Sequence, residues 1–341
     1  AMLVAALVIL FVADFATVSK DNRKWLNPLA CVLLLPVILS PLLSATEVHL
    51  FGDMYRNTFG VGIVKSILAA GTLVVFIQSK TWLYGDYSNS GKHKVMSLEA
   101  EFYMLIISTL LGMFVMLSSG HFLIFFLGLE MASVPLACVV AFDKHRNQSA
   151  EGAAKFILTA TFSSGVMLYG ISLLYGACGT LYFDDVALKL QSLVSDGNIA
   201  PMLILALVFF FSGLGFKLSL VPFHFWTADT YQGAPTTVTG YLSVISKGAA
   251  AYTLLVILFH VFGSMAQPVC FKAEGAEEVH GIQLYLTGRL HHACKHWNRL
   301  DHECLSPAIL CTYIYSSQHE RFHNNKCRRA EQQWQDPHIG L

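Results

Sequence analysis

Residues 201–229, PMLILALVFFFSGLGFKLSLVPFHFWTAD, set the reading of the whole chain. Sixteen uncharged residues precede Lys217, and apolar residues continue beyond it. At about 1.5 Å of rise per residue, Lys217 lies roughly 15 Å from the nearer end of the run. That is close to the middle of a hydrocarbon core about 30 Å thick. A charge there costs about 2.5–3.5 kcal/mol on insertion scales, so it is kept mainly where it faces a wet interior and handles ions or protons. Gly213 and Gly215 precede the lysine and Pro222 follows it. The stretch therefore reads as an interrupted helix, because proline removes a backbone donor and obstructs the preceding turn. Backbone groups freed at membrane depth need protein or water as partners, and such breaks mark transport sites.

Outward from this segment the chain repeats the same composition. Of its 341 residues, 55% are apolar and only 13% charged, against about 25% in soluble domains. Eight candidate spans follow one another at roughly 1–19, 28–45, 60–79, 101–118, 121–141, 155–177, 200–227 and 236–263. The expected fold class is all-α: a polytopic membrane helix bundle of about eight transmembrane helices, the seventh broken. The 22 basic and 22 acidic residues balance, and no basic stripe suggests nucleic-acid binding. Connections 20–27 (Lys20, Arg23, Lys24), 80–100 (Lys80, Lys92, Lys94) and 142–154 (Lys144, Arg146) hold most of the loop cations, which assigns them to the cytoplasmic side. The first run lacks the basic start and small-residue cleavage site of a signal peptide, and an Ala-Met opening reads as a fragment without its true start. Cys31, Cys138 and Cys178 read as small core hydrophobes.

Beyond about residue 265 the character changes. The last 76 residues hold five of the eight cysteines and eight of the fourteen histidines, with no run able to span. His291, His292, Cys294, His296, Cys304, Cys311 and Cys327 lack the spacing of a zinc site. With permitted synonymous codons, EVHGIQLYLTGRLH (278–291) read one nucleotide later can give RFMAFSSISQAGY, an apolar small-residue helix. The expected organisation is a partial transmembrane domain over 1–265 and an out-of-frame, poorly ordered tail over 266–341.

Two further charges share the depth of Lys217. Glu130, in GHFLIFFLGLEMASVPLACVVAF (120–142), lies nine residues after His121, or roughly 14 Å. Unpaired, its carboxyl would be protonated by desolvation; a nearby lysine would hold it ionised. Lys247 lies twelve residues after Pro235 in GAPTTVTGYLSVISKGAAAYTLLVILFH (233–260), or roughly 18 Å, with small and hydroxyl residues around it. Lys217 and Lys247 form a lateral relay in this reading. His224, seven positions after Lys217, falls on the same face of a continuous helix and could pass protons from cytoplasmic water. Lys155, near the cytoplasmic interface, suits a relay or a snorkelling anchor, and Lys65 reads as an interfacial anchor. Aromatic residues 209–211 and 223–226 read as packing. No phosphate loop, haem pair, iron–sulfur set or nucleophilic triad occurs in 1–265, so redox chemistry belongs elsewhere.

The stretches GLEMASVPLACVVAFDK (128–144) and FFFSGLGFKLSLVPFHFWTADTYQGAPTTVTGYLSVISKGAAAYTLL (209–255) resemble the antiporter-like subunits of respiratory NADH:quinone oxidoreductase, complex I, in their subunit N (chain 2) branch. The resemblance is strong over about 100–262, and its most specific element is Lys217–Trp226 followed by Ala234-Pro235-Thr236-Thr237. It implies an antiporter-like fold cut off after the eighth of about fourteen helices, so that the second half-channel is missing. It implies proton translocation coupled indirectly to electron transfer in other subunits, with Glu130, Lys217, Lys247, His224 and Lys155 as the proton relay. It also implies no cofactor in this chain, with NADH, FMN, iron–sulfur clusters and quinone in partner subunits. The implied partners are other membrane subunits, the lipid bilayer and protons. The implied location is a bacterial inner (cell) membrane. A subunit of an Mrp-type cation/proton antiporter, or a non-functional fragment, are the alternatives. Lysines without a cage of Asp, Asn or Ser oxygens favour protons over sodium.

Overall fold

The computed structural model describes residues 2–17, 25–43, 47–84, 99–143, 146–195, 201–221 and 223–263. Apolar helices dominate: α1 (Met2–Thr17), α2 (Leu26–Leu43), α3 (Phe59–Tyr84), α4 (Glu99–Leu117), α5 (Phe122–Val140) and α6 (Asn147–Cys178). There follow α7 (Phe183–Ser195), α8 (Pro201–Lys217), α9 (Phe225–Gly233) and α10 (Thr236–His260). The all-α membrane-bundle class is borne out. Among the described residues α3, α4, α5, α6 and α10 are long and apolar enough to cross a membrane, whereas α1, α2 and α8 are shorter.

Two features depart from the expected layout, while the seventh span is broken as expected, into α8 and α9. Between the sixth and seventh spans lies α7, FDDVALKLQSLVS, which buries Phe183, Val186 and Leu190 on one face. Its thirteen residues are too few to span, and its apolar stripe is that of an amphipathic helix. Between α2 and α3 the chain forms a hairpin of β1 (Val48–Leu50) and β2 (Tyr55–Asn57). The tail with its cysteine and histidine cluster lies outside the described residues, as do Lys20, Arg23, Lys24, Lys92, Lys94, Lys144 and Pro222.

The hairpin covers one end of the bundle. Arg56 N–H donates to Ser118 O at 2.7 Å, and Gly120 N–H to Met54 O at 2.9 Å. Next to it Phe122 N–H donates to Leu181 O and Phe183 N–H to Gly120 O, so the 118–121 turn is held from both sides. Lys65 of α3 is buried beneath this plate, donating to Tyr55 Oη at 3.1 Å, Asn57 Oδ1 at 2.7 Å and Ser118 Oγ. The expected interfacial anchor is thus a buried clamp. Arg56 also pairs with Asp184 of α7, and His260 Nε2 at the end of α10 lies 3.5 Å from the same carboxylate. The Arg56 guanidinium holds the Asp184 carboxyl below the ordinary carboxylate range.

Packing at the centre depends on close backbone approach. Without a hydrophobic drive between helices in lipid, small residues and van der Waals contact carry association. At Gly112 and Gly128 a Cβ would collide with the backbone of the facing helix, Ala132 and Met116 respectively, so α4 and α5 lie in near-backbone contact.

Candidate functional site

The break after Lys217 is built by the backbone. Ser219 N–H donates to Phe216 O at 2.9 Å and Leu220 N–H to Gly215 O at 2.8 Å, while Ser219 has φ 57°. This is a Schellman cap with serine in the left-handed position usually held by glycine. Thr227 Oγ1 donates to Ser219 Oγ at 2.6 Å, and Trp226 Nε1 donates to Phe216 O at 3.2 Å, so the start of α9 satisfies groups at the end of α8. Gly213, read in the sequence as part of the interruption, serves packing instead. A Cβ there would run into Met167 Cβ and Ser163 O of α6, and Ser163 Oγ donates to Gly213 O at 3.2 Å.

Lys217 ends α8 and is 5% exposed. Its Nζ donates to Ser133 Oγ of α5 at 2.8 Å and lies 6.0 Å from the ring centre of Phe156 in α6. Its place in the last turn also sets the ammonium against the carbonyl end of the helix, where positive charge is favoured. Glu130 lies one turn before Ser133 on α5 and is half-buried. No ion pair within 4.0 Å joins it to Lys217 among the described residues.

Lys247 follows a π-helical turn, Tyr241–Ser246, within α10. Its Nζ lies 5.0 Å from the ring centre of Tyr231 and 6.0 Å from that of Trp226, within cation–π range. Lys217 and Lys247 border one packed gap with Leu136, Phe156, Trp226, Leu242 and Ser246, too tight to hold a water molecule. A small pocket, with room for about one water at most, lies against Lys217, with Ser133, Ser163 and Ser164 among its walls.

The structure thus brings Lys217 and Lys247 to the borders of one packed gap and sets Glu130 one turn from the serine that holds Lys217. It does not bring the other two candidates there. His224 is exposed and stacks on Phe225, ring centres 4.6 Å apart, because the cap at Ser219 ends the helical register on which the seven-residue spacing relied. Lys155 is exposed and pairs with Glu151 Oε1 at 2.6 Å and Asp229 Oδ2 at 2.7 Å, which ties α9 to α6. Ser133 escaped the sequence reading; its place three residues after Glu130 was the available signal. Among the described residues no group of three or more His, Cys, Asp or Glu side chains could hold a metal ion.

Comparison with known proteins bears on the family and the fold. Residues 119–273 match the family described as NADH:quinone oxidoreductase/Mrp antiporter, TM. The chain is 55% identical over 265 residues to NADH-quinone oxidoreductase subunit N of Phocaeicola vulgatus, covering 78% of this chain and 53% of the relative. It is 35% identical over 266 residues to the subunit N of Desulforamulus reducens, covering 77% and 53%. Among solved structures it is similar to a chain of respiratory complex I from Thermus thermophilus with bound aureothin, with TM-score 0.59, 27% identity, and coverage of 80% of this chain and 56% of that one. A chain of the Mrp complex from Dietzia sp., at TM-score 0.60 and 15% identity over 78% of this chain and 50% of that one, shares the fold. The chain spans about half the length of the curated relatives it matches. Its helices, broken span and aligned sequence place it in the NADH:quinone oxidoreductase/Mrp antiporter family of membrane subunits.

Proposed function

We propose that this chain belongs to a proton-translocating subunit of an NADH:quinone oxidoreductase, working through Glu130, Lys217 and Lys247. The observation that carries this reading is the convergence of Lys217 and Lys247 on one gap between Phe156 and Trp226. A buried amine and a half-buried one that face the same gap between helices have the chemistry of a lateral proton step, which would require that packed gap to open to water during the cycle. Electrons would pass from NADH to quinone in partner subunits that hold FMN and iron–sulfur clusters, and this chain would supply only the proton path. A conformational or electrostatic change arriving from those partners would move Lys217 relative to Glu130. Approach of the carboxylate supports the ammonium, and withdrawal removes that support, so the proton passes to Lys247. The host membrane would be a bacterial cell membrane, with the basic connections on the cytoplasmic side.

The test is Lys217→Ala in the full-length subunit within the assembled complex. NADH-driven proton uptake into inverted vesicles should fall at least tenfold while the complex still assembles. Unchanged uptake would sink the reading, and sodium-coupled transport without quinone-reducing partners would favour an Mrp-type antiporter instead.

A further inference from the structure

Lys217 rests on a hydroxyl, although an acid stands one turn away on the same helix. Ser133 is 5% exposed, and its Oγ donates to Leu129 O at 2.7 Å. With its proton committed to that carbonyl, the oxygen is left to accept, and Lys217 Nζ donates to it at 2.8 Å. Side chains three residues apart on a helix lie about 5–6 Å from each other at Cβ. The four-carbon stem of a lysine covers such a distance by rotation alone. Glu130 and Ser133 are therefore two alternative acceptors for one amine, reachable with α5 and α8 in place.

The two acceptors differ in what they ask of the amine. A carboxylate supports the ammonium through its charge. A neutral hydroxyl oxygen adds no charge, and it accepts from an ammonium and, more weakly, from an amine that has given its proton away. We propose that Ser133 is a positioning residue: the neutral seat that holds Lys217 apart from Glu130 in the half of the cycle when its proton can leave. The proposal rests on the transport reading above and adds to it the place where the disengaged lysine is held.

The experiment uses the full-length subunit in the assembled complex, in inverted vesicles, with Ser133→Ala, Ser133→Thr and Lys217→Ala compared. Alanine removes the acceptor in a helix-favouring residue, and threonine keeps it. A hydrogen bond to a charged group is a sizeable interaction, so Ser133→Ala should lower proton uptake per NADH oxidised about tenfold. Ser133→Thr should restore it to within about twofold, a recovery that a purely packing role would not give. A structure of the Ser133→Ala complex should show Lys217 Nζ within 4 Å of Glu130. Uptake by Ser133→Ala at the wild-type level overturns the proposal, as does an equal loss in Ser133→Ala and Ser133→Thr. If Lys217→Ala itself pumps normally, the transport reading fails. If Lys217→Ala is inactive and Ser133→Ala is not, only the seat fails.

Discussion

Lys217 and Lys247 approach their common gap past different members of an aromatic pair: Lys217 lies 6.0 Å from Phe156, Lys247 lies 6.0 Å from Trp226, and the two rings are 5.0 Å apart. Trp226 therefore does three things at once. It fills the gap, offers its face to Lys247, and donates to Phe216 O at the end of α8. Trp226→Phe keeps a ring but removes the indole bond to that carbonyl, which still accepts from Ser219 N–H, at a cost of about 0.5–1.5 kcal/mol. Trp226→Ala also opens a void, for about 3–5 kcal/mol. Thermal melting of the purified complex should rank wild type above Phe and Phe above Ala. An alanine variant as stable as the phenylalanine variant would refute this ordering.

Lys155 acts through α9. Because its amine meets Glu151 and Asp229, Lys155→Arg should preserve activity, and Lys155→Ala should lose less proton uptake than Lys217→Ala. Asp229→Asn should reproduce the alanine phenotype, since it removes the same tie. A Lys155→Ala loss as deep as that of Lys217→Ala, with Asp229→Asn unaffected, would return the lysine to the proton path.

Gly213→Ala places a methyl group against Met167 Cβ and Ser163 O. Forced overpacking of this kind costs about 1–3 kcal/mol. Assembly of the complex should fall accordingly, and Met167→Gly in the same chain should recover part of it, because the collision is with that Cβ. Separate, additive losses would show that the two sites do not meet.

The Arg56–Asp184 pair gives the covered end of the bundle a defined acid limit. The folded Asp184 carboxyl titrates below its unfolded value of about 3.9, so its contribution is complete above that pH and vanishes as pH falls through the lower folded value. Both side chains are partly exposed, which keeps the pair within about 0.2–1 kcal/mol. Asp184→Asn should lower the melting temperature slightly at pH 7 and leave it unchanged near pH 2. A melting difference that grew on acidification would contradict this sign.

The parts legible in the sequence were those with a high free-energy cost of misplacement. Glu130, Lys217 and Lys247 announced themselves because charge in lipid is expensive, and twenty-residue apolar runs are hard to mistake. Ser133 carried no comparable signal, because a hydroxyl can return its proton to its own helix, as it does to Leu129 O. The seventh span was rightly read as broken, but the turn is made by Ser219 with φ 57°, a conformation that serine does not advertise. Placing His224 on the face of Lys217 required an unbroken helix, and the same cap removed that premise. Hairpin 48–57 and α7 are too short for a hydropathy window, and they became visible only through the contacts that fix them to the bundle end.

The π turn at Tyr241–Ser246 sets the aim of the amine that follows it. A wide turn of this kind acts as one extra residue in an otherwise regular helix, and each residue rotates the downstream side chains by roughly 100°. Returning that turn to regular pitch with no residue removed would swing Lys247 by about that angle, away from the tryptophan, whereas deleting a single residue there would leave its direction nearly unchanged. The orientation of Lys247 is thus a matter of phase along α10, adjustable without altering any charge, and a local reversion of that turn to ordinary helix would disconnect the two lysines.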